Sequence, residues 1–409
     1  MTKASHAALT FSLLSLMLVS CSTDKSPSQN LRRAKPLITG ADQMEKYLPR
    51  LKGKRIGLVA NQTSTIHGKP SVDVLLAKGI KVVKIFGPEH GFRGNASNGA
   101  KVADEIDPQT GIPIISLYAK KRKPTQKDLA DVDLMIFDVQ DMGVRFYTKI
   151  NTLKYVMEAC AENHKPLIVL DRPNPNGYLI DGPILDMKLK SGIGLFPIPI
   201  AHGMTIGEFG RMINGEGWLT NNLKCDLSVV PLANYSHDMP YVLPIYPSPN
   251  LNTAQSVMLY PSLCLFEGTI VSQGRGTQMP FTVLGAPLLK GKYDFNFTPA
   301  SLPGMSEKPL HLGKACYGLD LRQYDTESLR KSRRLNLSWL MEMYKAYPEK
   351  EKFFDSKQSK AMGSFDRLAG TRDLKKQIIN GVTEDEIRKT WETGLATYKV
   401  MRKKYLLYP

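Results

Sequence analysis

Glu89, His90 and Arg93 fall in the stretch Ile85-Phe86-Gly87-Pro88-Glu89-His90-Gly91-Phe92-Arg93-Gly94. A carboxylate, an imidazole and a guanidinium at this spacing can move a proton and grip an anion. The preceding run Ile80-Lys81-Val82-Val83-Lys84 reads as a strand, and Gly87 and Pro88 break it. Glycines around the three groups let the backbone take positive φ and approach a ligand closely. Polar groups on a turn at a strand's end are how α/β proteins usually present a site.

The pattern repeats through the first half. Lys54-Arg55-Ile56-Gly57-Leu58-Val59-Ala60 leads into Asn61-Gln62-Thr63-Ser64, and Val132-Asp133-Leu134-Met135-Ile136-Phe137 leads into Asp138-Val139-Gln140-Asp141. Pro166-Leu167-Ile168-Val169-Leu170 ends in Asp171-Arg172. These runs hardly alternate, which suits strands covered on both faces of a parallel sheet. Between them, Ser71 to Lys78 and Thr148 to Asn163 carry apolar residues at helical spacing. The alternation predicts right-handed βαβ units and an open, doubly wound parallel sheet. Asn61, Glu89, Asp138, Asp141, Asp171 and Arg172 should then gather on one sheet edge. The plainer alternative is that each strand-end aspartate caps a helix.

The chain has 409 residues, room for two domains. Ala7 to Ser20 is apolar, follows Lys3 and ends in Leu18-Val19-Ser20-Cys21, which matches a bacterial lipobox. The segment is short for a membrane span and reads as a signal peptide at 1–21, with Cys21 acylated. Ser22 after the cysteine favours the outer membrane, and 22–37 reads as a flexible tether. Cys160, Cys225, Cys264 and Cys316 form no CxxC pair and lie in apolar sequence, so they read as buried free thiols. An oxidising compartment would also allow one disulfide.

The net charge of +17 suggests nucleic acid, a membrane surface or an acidic glycan as partner. The run Lys120-Lys121-Arg122-Lys123 lacks interleaved aromatics and reads as a solvated loop, and export argues against nucleic acid. Asn61-Gln62-Thr63-Ser64 stands where a dinucleotide site would need GxGxxG. There is no Walker loop, no HExxH and no Gly-x-Ser-x-Gly elbow.

Pro197-Ile198-Pro199-Ile200-Ala201-His202-Gly203 marks a boundary, and Thr205 with Glu208 is a capping box opening a helix to about Asn214. Tyr246-Pro247-Ser248-Pro249-Asn250, Phe266-Glu267-Gly268-Thr269 and Ser272-Gln273-Gly274-Arg275-Gly276-Thr277 are rich in Gly, Pro and amides, as cleft loops are. From Ser328 onward the pattern is helical, with Leu335, Trp339, Leu340 and Met343 as packing residues. The expected domains are 38–200 and 201–409.

Taken together, these motifs, with Asp138-Val139-Gln140-Asp141-Met142-Gly143-Val144-Arg145-Phe146-Tyr147-Thr148, Asp171-Arg172-Pro173-Asn174 and His202-Gly203-Met204-Thr205, resemble one bacterial family, the exo-β-N-acetylmuramidases. The resemblance runs from about residue 50 to the C-terminus. It implies a Rossmann-like doubly wound sheet with a second, smaller α+β domain and a site in the cleft between them. It also implies a glycoside hydrolase releasing terminal β-1,4-linked N-acetylmuramic acid from the non-reducing end of peptidoglycan fragments. No cofactor is implied.

Glycoside hydrolysis needs an acid on the leaving oxygen and usually a second carboxylate. Glu89 is the expected acid, on its glycine-flanked turn and by the resemblance. Asp141, Asp138 and Glu267 compete for the second role, and the substrate's own acetamido group is a further possibility. His90 could tune Glu89 or bind a sugar hydroxyl. Arg93, Arg145, Arg172 and Arg275 are candidates for the lactyl carboxylate, with an internal ion pair as the alternative, above all for Arg172 beside Asp171. Asn61, Asp138, Tyr147, Asn174 and Asn250, from the same motifs, complete the expected substrate-binding set. Two rivals stand beside this reading. One is a metal-dependent hydrolase using Glu89, His90, Asp138 and Asp141. The other is a non-catalytic muropeptide-binding lipoprotein. The expected location is the periplasmic face of the outer membrane.

Overall fold

The computed structural model describes residues 35–88, 92, 104–118, 121–355 and 364–409. The expected leader with Cys21, nearly all of the tether, and Glu89, His90 and Arg93 lie outside the described residues. Leu37–Pro409 group into one compact unit.

The strands are β1 (Arg55–Ala60), β2 (Thr65–Ile66), β3 (Lys69–Pro70), β4 (Lys81–Gly87), β5 (Glu105–Ile106), β6 (Pro113–Ser116) and β7 (Leu134–Asp138). They continue as β8 (Leu167–Leu170), β9 (Ile180–Asp181), β10 (Ala201–His202), β11 (Leu227–Val230), β12 (Val283–Ala286), β13 (Asn296–Phe297) and β14 (Cys316–Asp320). Seven of them form one sheet in the order β11-β8-β7-β1-β4-β6-β5. Every neighbouring pair in it is parallel except β5 with β6. The chain winds outward from β1 through β4 to β6. It then returns to β7 on the other side of β1 and continues to β8 and β11. The order therefore reverses between β1 and β7, and doubly wound sheets bind ligands in the crevice above such a switch point.

The lack of alternation has the expected cause. Ile56, Leu58, Leu134, Ile136, Ile168 and Leu170 enter one core, while Val59, Met135, Phe137, Leu167 and Val169 enter another on the opposite face. β4 ends at Gly87, at the break read from Gly87-Pro88, and the Gly87 carbonyl still accepts Leu117 N–H at 2.8 Å.

The helices of the first half are α1 (Leu48–Leu51), α2 (Ser71–Ala77), α3 (Gln126–Leu129), α4 (Lys149–Glu162) and α5 (Ile206–Gly215), followed by α6 (Ala254–Leu263). α2 and α4 stand where helical spacing placed them. The capping box at α5 forms: Thr205 Oγ1 accepts Glu208 N–H at 3.3 Å and Glu208 Oε2 accepts Thr205 N–H at 3.0 Å. α5 lies very close to the sheet. A Cβ on Gly207 would meet Val229 Cγ1 at 2.6 Å and Asp171 Cγ at 2.7 Å. The large sheet takes its last strand from residues 227–230, past the boundary expected at 200.

The smaller second domain carries the antiparallel sheet β12-β14-β13 and helices at Thr326–Ser332 and Ser338–Ala346. Leu335, Trp339, Leu340 and Met343 are buried in its core, which also takes in Met142, Val144, Phe146 and Tyr147 from beyond β7. The four described cysteines are buried and unbridged. The basic run is less solvated than expected. Lys121 pairs with Asp104 and Asp128 at 3.3 and 3.4 Å, and Lys123 pairs with Glu162 at 2.7 Å.

Candidate functional site

Ala60 and Asp138 are register partners, so the chains leaving β1 and β7 rise side by side at the switch point. Asn61 shapes the first of these loops. Its Oδ1 accepts Thr63 N–H at 3.0 Å and the Thr63 hydroxyl at 2.5 Å, and its own N–H donates to Ser64 Oγ at 2.9 Å. This is an Asx turn, which Asn forms because its short side chain imitates a backbone carbonyl. The Ser64 hydroxyl then donates to Asp138 O, and Gln140 N–H donates to Thr63 Oγ1 at 3.2 Å. The two loops are thus stitched together across the switch point.

A loop from further along the chain reaches this edge. Gln62 Nε2 donates to Tyr246 O at 3.4 Å and to Pro247 O at 3.0 Å. The Tyr147 hydroxyl donates to the same Pro247 carbonyl at 3.3 Å. Tyr147 meets Tyr260 edge-on at 6.2 Å, and Tyr260 in turn packs on Phe281 at 5.0 Å. The Arg275 guanidinium lies over the Phe281 ring at 5.1 Å. An aromatic path therefore joins the sheet edge to the Glu267–Arg275 pair.

That pair is tight. Arg275 Nε and Nη2 both donate to Glu267 Oε1, at 2.7 and 2.5 Å, and Gln273 Nε2 adds a third bond at 3.2 Å. Burial disfavours the Arg275 charge, but the Glu267 carboxylate outweighs it and holds the guanidinium above its ordinary range. Glu267 is engaged as a counter-ion rather than poised as a base. Arg275 Nη1 and Gln273 Oε1 have no hydrogen-bond partner, so the pair keeps one donor and one acceptor for something else.

Asp141 is also buried. Its Oδ2 accepts Gly143 N–H at 2.8 Å and lies 3.5 Å from His202 Nε2, while Oδ1 has no hydrogen-bond partner. A buried carboxylate oxygen without a partner costs stability, so such an atom calls for an explanation. Asp138 shares the unpartnered oxygen, at Oδ2, and differs in its cation: it is fully buried and receives Arg172 Nε at 2.6 Å. Burial works against the Arg172 charge, and the Asp138 carboxylate outweighs it.

Several expectations are corrected. Arg145 does not face a ligand. It is fully buried, with Nη1 donating to Pro183 O and Ile198 O at 2.9 and 2.7 Å and Nη2 to Leu368 O and Ala369 O at 3.0 and 2.8 Å. Burial with no carboxylate beside it lowers its pKa to about 9. Arg172 forms the internal ion pair expected of it, but with Asp138 and not with adjacent Asp171, because its side chain turns back over the sheet edge toward Thr65 O at 2.9 Å. Asn174 is engaged inside the fold, donating to Met204 O at 2.9 Å and accepting Asn176 N–H at 2.8 Å. Asn250 donates to Met305 O at 2.9 Å and leaves its Oδ1 unpartnered. Asp171 does serve a helix end, but that of α5. It accepts Gly207 N–H at 2.8 Å, together with the hydroxyls of Thr205 and Tyr408 at 2.7 and 2.6 Å.

Of the four ligands weighed for a metal, Asp138 and Asp141 are 34 and 31 residues before Arg172 and held as described, while Glu89 and His90 lie outside the described residues. Among the described residues no group of three His, Cys, Asp or Glu could hold a metal ion. His202 is the residue the sequence reading passed over. It sits inside a quoted motif, and its signal was an imidazole directly ending an extended Pro-Ile-Pro-Ile-Ala run.

Residues 56–255 match the family described as exo-β-N-acetylmuramidase NamZ, N-terminal, and residues 258–408 match its C-terminal counterpart. The peptidoglycan β-N-acetylmuramidase NamZ of Bacillus subtilis (strain 168) is 39% identical over 429 residues, covering 100% of both chains. Two crystal structures of DUF1343 family proteins from Bacteroides fragilis NCTC 9343 are also similar. One is 45% identical with a TM-score of 0.83, and the other 29% identical with a TM-score of 0.77. Each comparison covers 91% of this chain and 99% of the other.

Proposed function

The chain belongs to the exo-β-N-acetylmuramidase family, and we propose that it releases terminal β-1,4-linked N-acetylmuramic acid from the non-reducing end of peptidoglycan fragments. It is a glycoside hydrolase. The observation that carries the reading is the match of both family halves, 56–255 and 258–408, to one chain whose sheet reverses at a loop-lined switch point.

In this reading Glu89 protonates the glycosidic oxygen as the bond to the sugar's anomeric carbon breaks. Asp141 is the second carboxylate: Asp138 Oδ2 is as unpartnered as Asp141 Oδ1, but Asp138 and Glu267 each neutralise an arginine and Asp141 does not. Arg275 takes the lactyl carboxylate. Arg145 also keeps one unpartnered donor, Nε, but its two terminal nitrogens are bound to four backbone carbonyls and Arg172 is paired with Asp138, whereas Arg275 keeps a terminal nitrogen, Nη1, unused. Glu89→Gln should abolish release of N-acetylmuramic acid from a MurNAc-GlcNAc disaccharide, whose sugar leaving group needs a proton, while the melting temperature stays near wild type. Near-normal turnover would remove Glu89 from the acid role.

The lipobox Leu18-Val19-Ser20-Cys21 supports export and acylation at Cys21, with the enzyme held at the periplasmic face of the outer membrane. That location fits a peptidoglycan substrate. Cys21→Ala should abolish incorporation of a clickable fatty acid in cells, and continued labelling would contradict the anchor.

A further inference from the structure

His202 and Asp141 come from separate segments, and their side chains approach to 3.5 Å. Asp141 lies three residues past the end of β7, and His202 closes the short strand β10. Both are shut off from solvent, His202 completely. The His202 backbone and ring face are both held. Its backbone N–H donates to Gly143 O at 3.0 Å, its carbonyl accepts the Tyr398 hydroxyl at 2.7 Å, and its ring packs on Phe209 at 5.0 Å. Gly143 is also the residue whose N–H binds Asp141 Oδ2. The two side chains are therefore referenced to the same turn.

The tautomer follows from the contacts. Met204 N–H points at His202 Nδ1 from 3.3 Å, so Nδ1 offers its lone pair. The ring proton of a neutral imidazole then sits on Nε2, which faces Asp141 Oδ2 at 3.5 Å. At this separation no hydrogen bond forms and Nε2 is buried without a partner; contacts in an unliganded catalytic site often tighten only when substrate binds. The other carboxylate oxygen, Oδ1, is buried without a partner. One side of Asp141 is thus held by the fold, and the other is left to accept.

We propose that His202 is a positioning residue for the hydrolase, closing with Nε2–H on Asp141 Oδ2 when substrate binds so that Oδ1 is aimed to accept a hydrogen bond from the reacting sugar. This rests on the muramidase reading above. A neutral donor suits the task, since it engages one carboxylate oxygen without the full charge that would tie up both. The other titratable or charged groups touching this pair's segments, among the described residues, are Tyr398 on His202 O and Arg402 on Gly203 O. Both address backbone carbonyls, and the carboxylate faces the imidazole and the Gly143 N–H.

The test compares wild type with His202→Phe, His202→Gln and Asp141→Asn in the full-length protein, following kcat and KM of p-nitrophenol release from a chromogenic N-acetylmuramide. Gln places its amide nitrogen close to the imidazole Nε2, whereas Phe fills the space without a donor. His202→Phe should lower kcat about tenfold or more and change KM little. His202→Gln should recover most of the kcat. Equal losses in the Phe and Gln variants, or a folded Phe variant of wild-type activity, would overturn the proposal. A fully active Asp141→Asn would also overturn it, while leaving the muramidase reading intact. Wild-type enzyme that releases no p-nitrophenol would instead sink that underlying reading.

Discussion

Asp171 is surrounded by donors yet holds its proton unusually well. It is fully buried at the end of β8 and accepts the Tyr408 and Thr205 hydroxyls and two backbone N–H groups. Burial raises its pKa to about 7; the Tyr408 bond opposes this and the nearby Glu208 charge adds to it. An unfolded aspartate titrates near about 3.9. Between those values the native state keeps a proton that the unfolded chain has released. The contribution of this group to stability is therefore greatest at acid pH and is lost as pH rises through about 7. Asp171→Asn cannot ionise, so relative to wild type it should gain roughly 2–3 kcal/mol of stability between about pH 5 and about pH 8. Urea unfolding at the two pH values checks this, and parallel curves for the two proteins would refute it. At this scale the sequence was informative about residue types and poor on partners. Asp171 next to Arg172 reads as an ion pair, yet adjacent side chains on an extended backbone point to opposite faces. Arg172 therefore finds Asp138, 34 positions earlier. For Arg145 the determining partners are four carbonyls, and no residue type announces a carbonyl.

Elements were far more legible than contacts, for a physical reason. A strand buried on both faces must be continuously apolar, and β1, β7 and β8 are so apolar that their bounds nearly coincide with the runs read from sequence. α5 declares its own start, since the Thr205–Glu208 box is a local device that works wherever the helix is placed. β11 was missed because Leu227-Ser228-Val229-Val230 is short and ends an otherwise polar stretch. Its place at the sheet edge depends on Leu167 to Leu170, not on its own composition. The same limit applied to β10. Two residues pairing with β9 carry no periodicity of their own, yet they deliver His202 to Asp141. The site's chemistry is thus carried partly by elements too short to be read.

The two halves of the chain are written in sequence as separate domains but share their interior. The core around β12 to β14 takes in Met142, Val144, Phe146 and Tyr147, which follow directly from β7. In the other direction, Tyr398 packs in the core beneath the parallel sheet, and Tyr408 reaches Asp171. Polar contacts cross in the same way. Arg145 binds the Leu368 and Ala369 carbonyls, Asp181 Oδ2 accepts Leu335 N–H at 2.7 Å, and Arg388 Nη1 meets that oxygen at 2.8 Å. Cutting after residue 255, where the two family halves divide, would strand Arg145 without two acceptors and leave Asp181 without its cation. A buried charge deprived of its partner costs about 3–5 kcal/mol, a large part of any domain's total stability of about 5–15 kcal/mol. Residues 37–255 made alone should therefore bind ANS and lack near-UV circular dichroism. Residues 37–409 should unfold in one calorimetric transition, with van't Hoff and calorimetric enthalpies equal, despite a length at which intermediates are common. Two resolved transitions, or a 37–255 fragment with native near-UV signal, would show that the halves fold independently and that these shared side chains only join finished domains.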